Sequence, residues 1–542
     1  MSKPGDTPYD IKRARFLIVD ESADIRRLLR TMLAESGAER IDQTAYAAEA
    51  IRMMAQVDYD VVLCDFHLGA GRDGQQLLEE ARFKGILKAS TLFVMVTAEN
   101  TAQVVMGVLE CHPDDYLSLP FTREQFAARM QRLLRRREET GAIEEALEEQ
   151  RYEEALTLCD QRMTVDCAEV LELLRLKAEA FVALEKFPQA KAIYVQVFTR
   201  RKAAWAGLGS GRVYFLLKDY AAAVAAFKRT LAAHPRQLEA YDWLARAQAL
   251  LGDCDAARET LGTALELSPR SIRRQMALGE LALRDGHYRL AARAFGAAVA
   301  LGSRSVYRTA SNYVKQARAL MQFDAGSALR VLRDLRRDFS TDPEARMRAA
   351  AAECMVHRLL DEEAGAQASY EEAMKIYAGI SDDVSPEAMV ELARMLLARG
   401  EHAAAVEQMQ RAIGNRHEDE GLLQEVRAVF RDAGMEDEGE RLIARVRDEV
   451  IRLNNDGVHL AEEGRLEEAA ELFQKALRDL PVNRTINMNT AKVMLLRMKR
   501  DGRNDQYLRQ AHECIERLRQ QDPAAGAVQR LAALYREVAS AA

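Results

Sequence analysis

A period of 34 residues in the middle of the chain constrains its fold more than any other feature of the sequence. Three positions recur at this spacing: a small residue, a large apolar residue, and a residue that closes the segment. Segments with this period are helix pairs that bury their apolar faces by stacking on neighbouring pairs. The three positions are occupied by Ala223, Phe227 and Pro235, then by Ala257, Leu261 and Pro269, and then by Ala291, Phe295 and Ser303.

Less regular copies of this pattern lie on both sides of the clear ones. From about residue 143 onward strand signals are absent, and apolar residues recur with helical spacing. We therefore predict an all-helical solenoid over 139–526, with a capping helix over 527–542. Irregular steps predict a kink or a split near 302–345. The pattern resembles the tetratricopeptide repeat, in which small residues such as Gly211 let paired helices approach closely.

The resemblance to tetratricopeptide repeats implies a concave groove that binds a peptide or helix of a partner protein. The first helix of each pair lines such a groove, and tryptophan and arginine are common interface anchors. A tryptophan in a repeat is more often a packing residue, and we expect Trp243 in the core. The candidate groove residues are Trp205, Arg212, Asp242, Arg246, Arg273 and Glu280.

The first 140 residues follow another pattern, in which short apolar runs alternate with helical segments. Asp20 and Glu21 close the first run, Asp65 closes a later run, and Thr97 closes the next. Such runs indicate parallel strands buried on both faces, whose carboxyl ends meet at one edge of the sheet. Carboxylates bind Mg²⁺, and an aspartate can act as a nucleophile. The sequence therefore predicts a doubly wound, five-stranded parallel α/β sheet with a magnesium site beside a nucleophilic aspartate.

Residues 14–138, after a polar leader over 1–13, resemble the response-regulator receiver domain of bacterial two-component signalling. The three closed runs carry the resemblance, together with the sequence Asp-Asp-Tyr-Leu-Ser-Leu-Pro-Phe over 114–121. The resemblance implies that Asp65 is the phosphoacceptor and that Asp20, Glu21 and Asp65 hold Mg²⁺.

The resemblance also implies roles for four residues around the phosphoacceptor. Thr97 and Tyr116 would relay phosphorylation to the rest of the domain. His67 and Glu99 would flank the path of attacking water and tune dephosphorylation.

Two departures from the receiver pattern bear on this site. Leu119 stands where receivers have a lysine that pairs with the phosphoryl group, and its uncharged side chain should weaken activation. The loop after Asp65 is one residue longer than usual and contains Arg72, which is a candidate to supply the missing charge. The departures favour an alternative in which a degenerate receiver serves only for docking. Against it, three crowded acids are costly without a cation or a proton.

The junction between the two parts is short, charged and helical. We expect the last receiver helix to run from about 122 to 137 and to end near Thr140 and Gly141, with a further helix following at once. Such a junction couples two domains more stiffly than a flexible tether would. The basic run over 135–137 is expected to be a solvated helix face, with a nucleic-acid contact as the less favoured alternative.

Composition excludes several classes of function. The net charge of −7 argues against a nucleic-acid binder, and no apolar run approaches the length of a membrane span. Seven cysteines without a CxxC pair and nine dispersed histidines suggest neither a disulfide framework nor a zinc site. Because no signal peptide is visible, we expect a cytoplasmic protein, and no motif of an enzyme is present.

The sequence thus predicts a response regulator whose output is protein binding. A sensor histidine kinase or phosphotransfer protein would phosphorylate Asp65, and the change would reach the repeats through the face of the fourth helix, fifth strand and fifth helix. A homodimer is a further assembly that this reading allows. The alternative is a scaffold that works without phosphorylation and uses the receiver fold for docking or dimerisation.

Overall fold

The computed structural model describes residues 11–69, 71–88, 90–98, 106–107, 110–163, 170–381, 384–502, 504–521 and 526–540. Five parallel strands form one sheet in the order β2-β1-β3-β4-β5. This order leaves β3 in the centre, between β1 and β4. The predicted doubly wound parallel sheet is confirmed. The strands are β1 (Arg15–Val19), β2 (Arg40–Thr44), β3 (Val61–Asp65), β4 (Leu92–Thr97) and β5 (Asp115–Ser118).

Helices cover both faces of this sheet, and each face has its own apolar cluster. One cluster joins alternate residues of β1, β3 and β4 to α1 and α4, and the other joins the remaining residues to α2 and α3. The alternation follows from the strand period of two, because successive side chains point to opposite faces. The helices are α1 (Ala23–Glu35), α2 (Ala47–Gln56), α3 (Gly74–Phe83) and α4 (Arg123–Glu148). We call this part the N-terminal domain.

Helix α4 is longer than the sequence indicated. The prediction that it ends near Thr140 and Gly141 is wrong, because the helix continues without interruption to Glu148. A glycine inside a helix costs about 1 kcal/mol. Burial of Ile143 against the next two helices stabilises the continuation by about 1.5–3 kcal/mol, which exceeds that cost. The junction is therefore a single rigid helix.

The basic run on α4 is also less solvated than predicted. Arg136 lies 3.6 Å from Asp114 and 3.5 Å from Glu172, and Arg137 pairs with Asp60 at 2.5 Å. These ion pairs bind the helix to the N-terminal domain on one side and to the first repeats on the other. The prediction of a solvated face is wrong for these two arginines.

Paired helices follow α4. By its contacts the chain divides into two compact units, the first comprising 1–285 and 297–308 and the second 286–296 and 309–542. The first unit therefore contains the N-terminal domain together with the first repeats. Its further helices are α5 (Tyr152–Met163), α6 (Val170–Ala183), α7 (Phe187–Arg201), α8 (Ala204–Leu216), α9 (Tyr220–Ala233), α10 (Leu238–Leu250), α11 (Cys254–Leu267) and α12 (Ile272–Arg284), and α13 (Tyr288–Gly302) has residues in both units.

The second unit is helical throughout its described part. Its largest apolar cluster joins α16 to α21, and further clusters lie between α21 and α25. The helices are α14 (Ala310–Met321), α15 (Ala325–Asp338), α16 (Pro343–Leu359), α17 (Glu363–Ile380), α18 (Pro386–Ala398), α19 (His402–Asn415), α20 (Glu420–Asp432), α21 (Glu436–Glu462), α22 (Leu466–Asp479), α23 (Arg484–Asp501), α24 (Asp505–Gln521) and α25 (Gly526–Ser540). Of the helices described, none is both long and apolar enough to cross a membrane.

A glycine sets the closest approach within the repeats. A Cβ atom on Gly211 would lie 2.3 Å from the ring of Phe227 on the following helix. Any larger residue would force the two helices apart. The predicted role of this small residue in helix packing is therefore confirmed.

Candidate functional site

Three of the predicted site residues lie on adjacent strands at one edge of the sheet. Val19 of β1 pairs with Cys64 of β3, so Asp20 and Asp65 each follow that pair by one residue. Asp65 pairs with Val96 of β4, which places Thr97 one residue further along. The strand register therefore brings two carboxylates and one hydroxyl to the same rim.

Asp20 carries a nearly buried carboxyl group that is hydrogen-bonded to the backbone. Its side chain is 3% exposed and accepts a hydrogen bond from the backbone N–H of Ser22 at 2.7 Å. Burial, together with the nearby carboxylates of Asp65 and Glu21, raises the pKa of Asp20 to about 6, against the opposing effects of the Ser22 N–H and Arg26. The acids of the rim are thus close enough to repel one another.

Asp65 is half-buried at the end of the central strand. Burial raises the pKa of its carboxyl group, whereas the backbone N–H groups of Phe66 and His67 and the charge of His67 lower it. Glu21, which is exposed, approaches the loop that follows Asp65, because a Cβ on Gly69 would lie 2.7 Å from its Oε2 atom. Asp65 is therefore accessible, with an acid on one side and an imidazole on the other.

The carboxylates suit a hard cation in their chemistry and their charge. Asp20, Glu21 and Asp65 offer only oxygen atoms, which Mg²⁺ prefers, and a cation would offset both the burial of Asp20 and the charges of Asp65 and Glu21, which together raise its pKa. Within the described part of the chain, however, no set of three His, Cys, Asp or Glu side chains is already placed to hold a metal ion.

The residues expected to relay phosphorylation lie on β4 and β5. Thr97 is 1% exposed, and its backbone carbonyl accepts a hydrogen bond from the N–H of Leu119 at 2.9 Å. Tyr116 is partly buried against the apolar cluster beneath α2 and α3. Glu99, the second residue expected to tune dephosphorylation, lies outside the described residues, whereas His67 is exposed beside Asp65.

Leu119 occupies the lysine position without supplying a polar group. Its side chain packs against the cluster that includes Leu117 and Phe126. Arg72, the candidate for the missing charge, instead pairs with the buried Glu80 at 2.7 Å. In the structure Arg72 therefore forms an ion pair with helix α3 and does not replace the charge of the missing lysine.

A second site lies where the N-terminal domain meets the repeats of the same unit. Arg274 on α12 is 3% exposed and donates two hydrogen bonds to Asp242 on α10, at 2.8 and 2.9 Å. Its remaining terminal nitrogen donates to Glu110 of the N-terminal domain at 2.6 Å, and Ser268 donates to the same carboxylate at 2.9 Å. The repeats thus hold an acidic side chain of the N-terminal domain in a buried ion cluster.

This contact forms one wall of a cleft of about 1010 Å³. Helix α3 and residues around Glu110 face α10 and α12 across it, and the ring of Phe83 meets Tyr307 edge to face at 6.5 Å between centroids. The sequence placed the contact on the fourth helix, fifth strand and fifth helix of the receiver pattern. In the structure α3, Met106 and residues 110–112 line this cleft and no residue of β5 or α4 does, whereas α4 meets the repeats at Glu172.

Four of the six predicted groove residues line this cleft: Asp242, Arg246, Arg273 and Glu280. Arg212 lies outside it and stacks over the ring of Trp243, 5.5 Å from the ring centroid. Trp205 packs against Tyr194 and the neighbouring repeat helices. The first helices of two central repeats, α10 and α12, therefore line this cleft together with the N-terminal domain.

Sequence reasoning missed the residues that join the two domains. Glu110 and Arg274 carry no motif, and only the fold brings them together. A repeat pattern in the sequence could have pointed to Arg270 and Arg304, which both contact the loop after Asp65. Arginine follows the closing residue of three successive repeats, as Arg236, Arg270 and Arg304, at the same 34-residue spacing.

Comparison with known families assigns both parts of the chain. A model described as "Response regulator receiver domain" matches residues 16–131. Two models described as "Tetratricopeptide repeat" match, one over 214–281 and the other over 175–237 and 362–420.

Individual relatives match the first part of the chain. "Transcriptional regulatory protein ResD" of Bacillus subtilis is 34% identical over 127 residues, which are 23% of this chain and 50% of that protein. "Two-component response regulator PhoP" of Pseudomonas aeruginosa is 31% identical over 134 residues, 25% of this chain and 56% of that protein. The chain thus spans about half the length of these curated relatives. A solved two-component response regulator from Clostridium difficile is 28% identical, with a TM-score of 0.21 over 23% of this chain and 98% of that one.

Proposed function

We propose that phosphorylation of Asp65 controls the binding of another protein by the repeats, through the contact between the receiver domain and the repeat groove. The chain carries an N-terminal response-regulator receiver domain followed by tetratricopeptide repeats. A sensor histidine kinase or a phosphotransfer protein supplies the phosphoryl group in the cytoplasm. The protein itself acts by binding and not as a catalyst on other molecules.

The observation that carries this proposal is the shared cleft. Receiver residues and predicted groove residues line the same space, and Arg274 binds Glu110 of the receiver in a buried ion cluster. A partner that used this groove would have to displace the receiver. Because any ligand that favours one of two states shifts the equilibrium between them, a phosphoryl group that weakens this contact would open the groove.

The rim residues support phosphoryl acceptance. Asp65 is half-buried but accessible, so its carboxylate oxygen can attack a phosphorus atom. Asp20, Glu21 and Asp65 would hold Mg²⁺, which would offset the repulsion between these acids and the phosphoryl group. Thr97 and Tyr116 occupy the strands on which a phosphoryl-dependent shift would travel toward α4.

The test uses the full-length protein with acetyl phosphate and Mg²⁺. Intact mass spectrometry should show one added phosphoryl group on the wild type and none on Asp65→Asn. Hydrogen exchange should then become faster in α3 and α12 of the phosphorylated wild type only. Absence of the added mass, or the same addition to Asp65→Asn, would refute phosphorylation at Asp65.

The alternative is a scaffold that works without phosphorylation, and the apolar packing of Leu119 favours it. In that case the contact between receiver and repeats is permanent. Exchange in α3 and α12 would then be the same in phosphodonor-treated wild type, untreated wild type and Asp65→Asn.

A further inference from the structure

Neither of the two residues considered for the usual cation of a receiver is free to pair with a phosphoryl group on Asp65, and Arg26, which is close to the rim, donates to the backbone carbonyls of Asp20 and Glu21. Leu119 packs among apolar residues at the position of the usual lysine, and Arg72 is bound to Glu80. A phosphoryl group on aspartate is a dianion with three acceptor oxygens, and such groups are usually met by charge-assisted hydrogen bonds. A cation from elsewhere in the chain is therefore worth seeking near this rim.

An arginine of the repeats approaches the loop that begins at Asp65. Arg270 lies between α11 and α12, and its Nη2 atom donates to Asp73 Oδ2 at 2.9 Å. Its guanidinium also stacks over the ring of Phe66, 5.6 Å from the ring centroid. Phe66 directly follows Asp65, so the repeats place a guanidinium beside the residue next to the predicted phosphoacceptor.

A small cleft connects this arginine with the surroundings of Asp65. The cleft has a volume of about 390 Å³, and its walls include His67, Gly69, Asp73, Arg270 and Arg304. His67 and Gly69 belong to the wall that adjoins the acids, because the former acts on Asp65 and the latter approaches Glu21. The arginines belong to the opposite wall, which the repeats form.

The receiver side of this cleft is held by further contacts of the repeats. Arg304 donates to the backbone carbonyl of Gly71 at 2.8 Å, and Arg72 donates to the carbonyl of Arg304 at 3.2 Å. Gly74, where α3 begins, cannot carry a side chain, because a Cβ there would lie 2.1 Å from the carbonyl oxygen of Asp65. The loop is therefore packed against Asp65 at one end and against the repeats in its middle.

We propose that Arg270 of the repeats is the cationic partner of phosphorylated Asp65. On phosphorylation its guanidinium exchanges the carboxylate of Asp73 for the phosphoryl oxygens. This inference rests on the proposed function. In the transfer from acetyl phosphate, a bond forms between the Asp65 carboxylate oxygen and phosphorus while the phosphorus–oxygen bond to acetyl breaks, and acetate leaves.

The exchange is favoured by charge and by geometry. A guanidinium can bind a phosphoryl group through two parallel hydrogen bonds, and a dianion attracts it more strongly than the single charge of Asp73 does. Because Arg270 belongs to the repeats, phosphorylation would also alter the contact between the two domains. The repeats would thus supply the cation that a receiver domain usually supplies itself.

The experiment compares variants of the full-length protein with limiting acetyl phosphate and Mg²⁺. The phosphorylated fraction is read by intact mass, and its half-life is read after removal of the donor. Arg270→Ala should lower both about fivefold, as expected for the loss of one partly exposed charge pair of about 1 kcal/mol. Arg270→Lys should retain part of the effect. Arg229→Ala, which removes an exposed arginine of α9 that lines neither cleft, should behave like wild type.

Asp73→Asn distinguishes a phosphoryl partner from a structural ion pair. Asparagine still caps α3, whose N-cap is Asp73, but it no longer competes for Arg270 as an anion. The proposal therefore predicts a higher phosphorylated fraction in Asp73→Asn and a lower one in Arg270→Ala.

Three outcomes would overturn the inference. Equal phosphorylation of wild type and Arg270→Ala would refute the role of Arg270 but leave the proposed function intact. A decrease in both Arg270→Ala and Asp73→Asn would show that the pair serves only to hold the domains together. A wild type that accepts no phosphoryl group would refute the proposed function and this inference together.

Discussion

The contact between Glu110 and Arg274 offers the sharpest test of how the receiver is held in the repeat groove. Glu110→Ala removes two hydrogen bonds to a carboxylate, one of 2.6 Å from Arg274 and one of 2.9 Å from Ser268. It leaves Arg274 with both bonds to Asp242, so no buried charge loses its last partner. The substitution thus acts mainly on the interface between the two domains.

The expected magnitude follows from these contacts. Hydrogen bonds to charged groups contribute about 1.5–3 kcal/mol each. Burial raises the pKa of Glu110, which shows that desolvation offsets part of this gain. We therefore expect Glu110→Ala to lower the free energy of opening the interface by about 2 kcal/mol, which is about a 30-fold change in the equilibrium.

Hydrogen exchange of the full-length protein measures this opening directly. Amides of α3 and α12 that the interface protects should exchange about 30-fold faster in Glu110→Ala. The matched control is Glu179→Ala, because Arg175 then keeps its two bonds to Glu172 just as Arg274 keeps those to Asp242. The control should alter exchange only in α6 and its neighbours.

Two results would contradict this reasoning. Exchange in α3 and α12 within twofold of wild type would show that the ion cluster does not hold the receiver. Equal acceleration of α12 in Glu179→Ala would show that loss of any repeat ion pair has this effect.

Three further predictions concern packing and the lysine position. Gly211→Ala should destabilise the repeats by about 2 kcal/mol, because the added Cβ would collide with Phe227. Gly262→Ala should stabilise them by about 0.5–1 kcal/mol, because a Cβ there would meet no atom within 4 Å. Urea unfolding measures both changes. Trp243→Ala should cost about 3 kcal/mol in the same assay, since its ring packs against a neighbouring phenylalanine and beneath two arginines. Leu119→Lys should raise the fraction phosphorylated by acetyl phosphate while costing about 1 kcal/mol in stability, because a cation replaces a partly buried apolar side chain.

Periodic patterns in the sequence predicted the two folds. The apolar runs that end at Asp20, Asp65 and Thr97 predicted a parallel sheet and the edge at which these residues lie, because the carboxyl ends of parallel strands meet at one rim. The 34-residue spacing predicted the helix pairs, because each pair must bury the same face against the next. The sequence did not predict the length of α4 correctly, because burial of Ile143 lets the helix continue beyond a glycine.

The sequence by itself determined the two folds and the acids of the rim, because strand and helix periods repeat every few residues and need no knowledge of distant contacts. Only the tertiary structure decided which charges meet across the chain. Glu110 and Arg274 are far apart in sequence, and nothing local relates a carboxylate before β5 to an arginine on α12. The same holds for Arg270, whose place beside the loop of Asp65 depends on how α11 and α12 pack against the receiver. The lysine missing at Leu119 was visible in the sequence, but the contact of Arg270 with Asp73 and Phe66 became visible only in the fold.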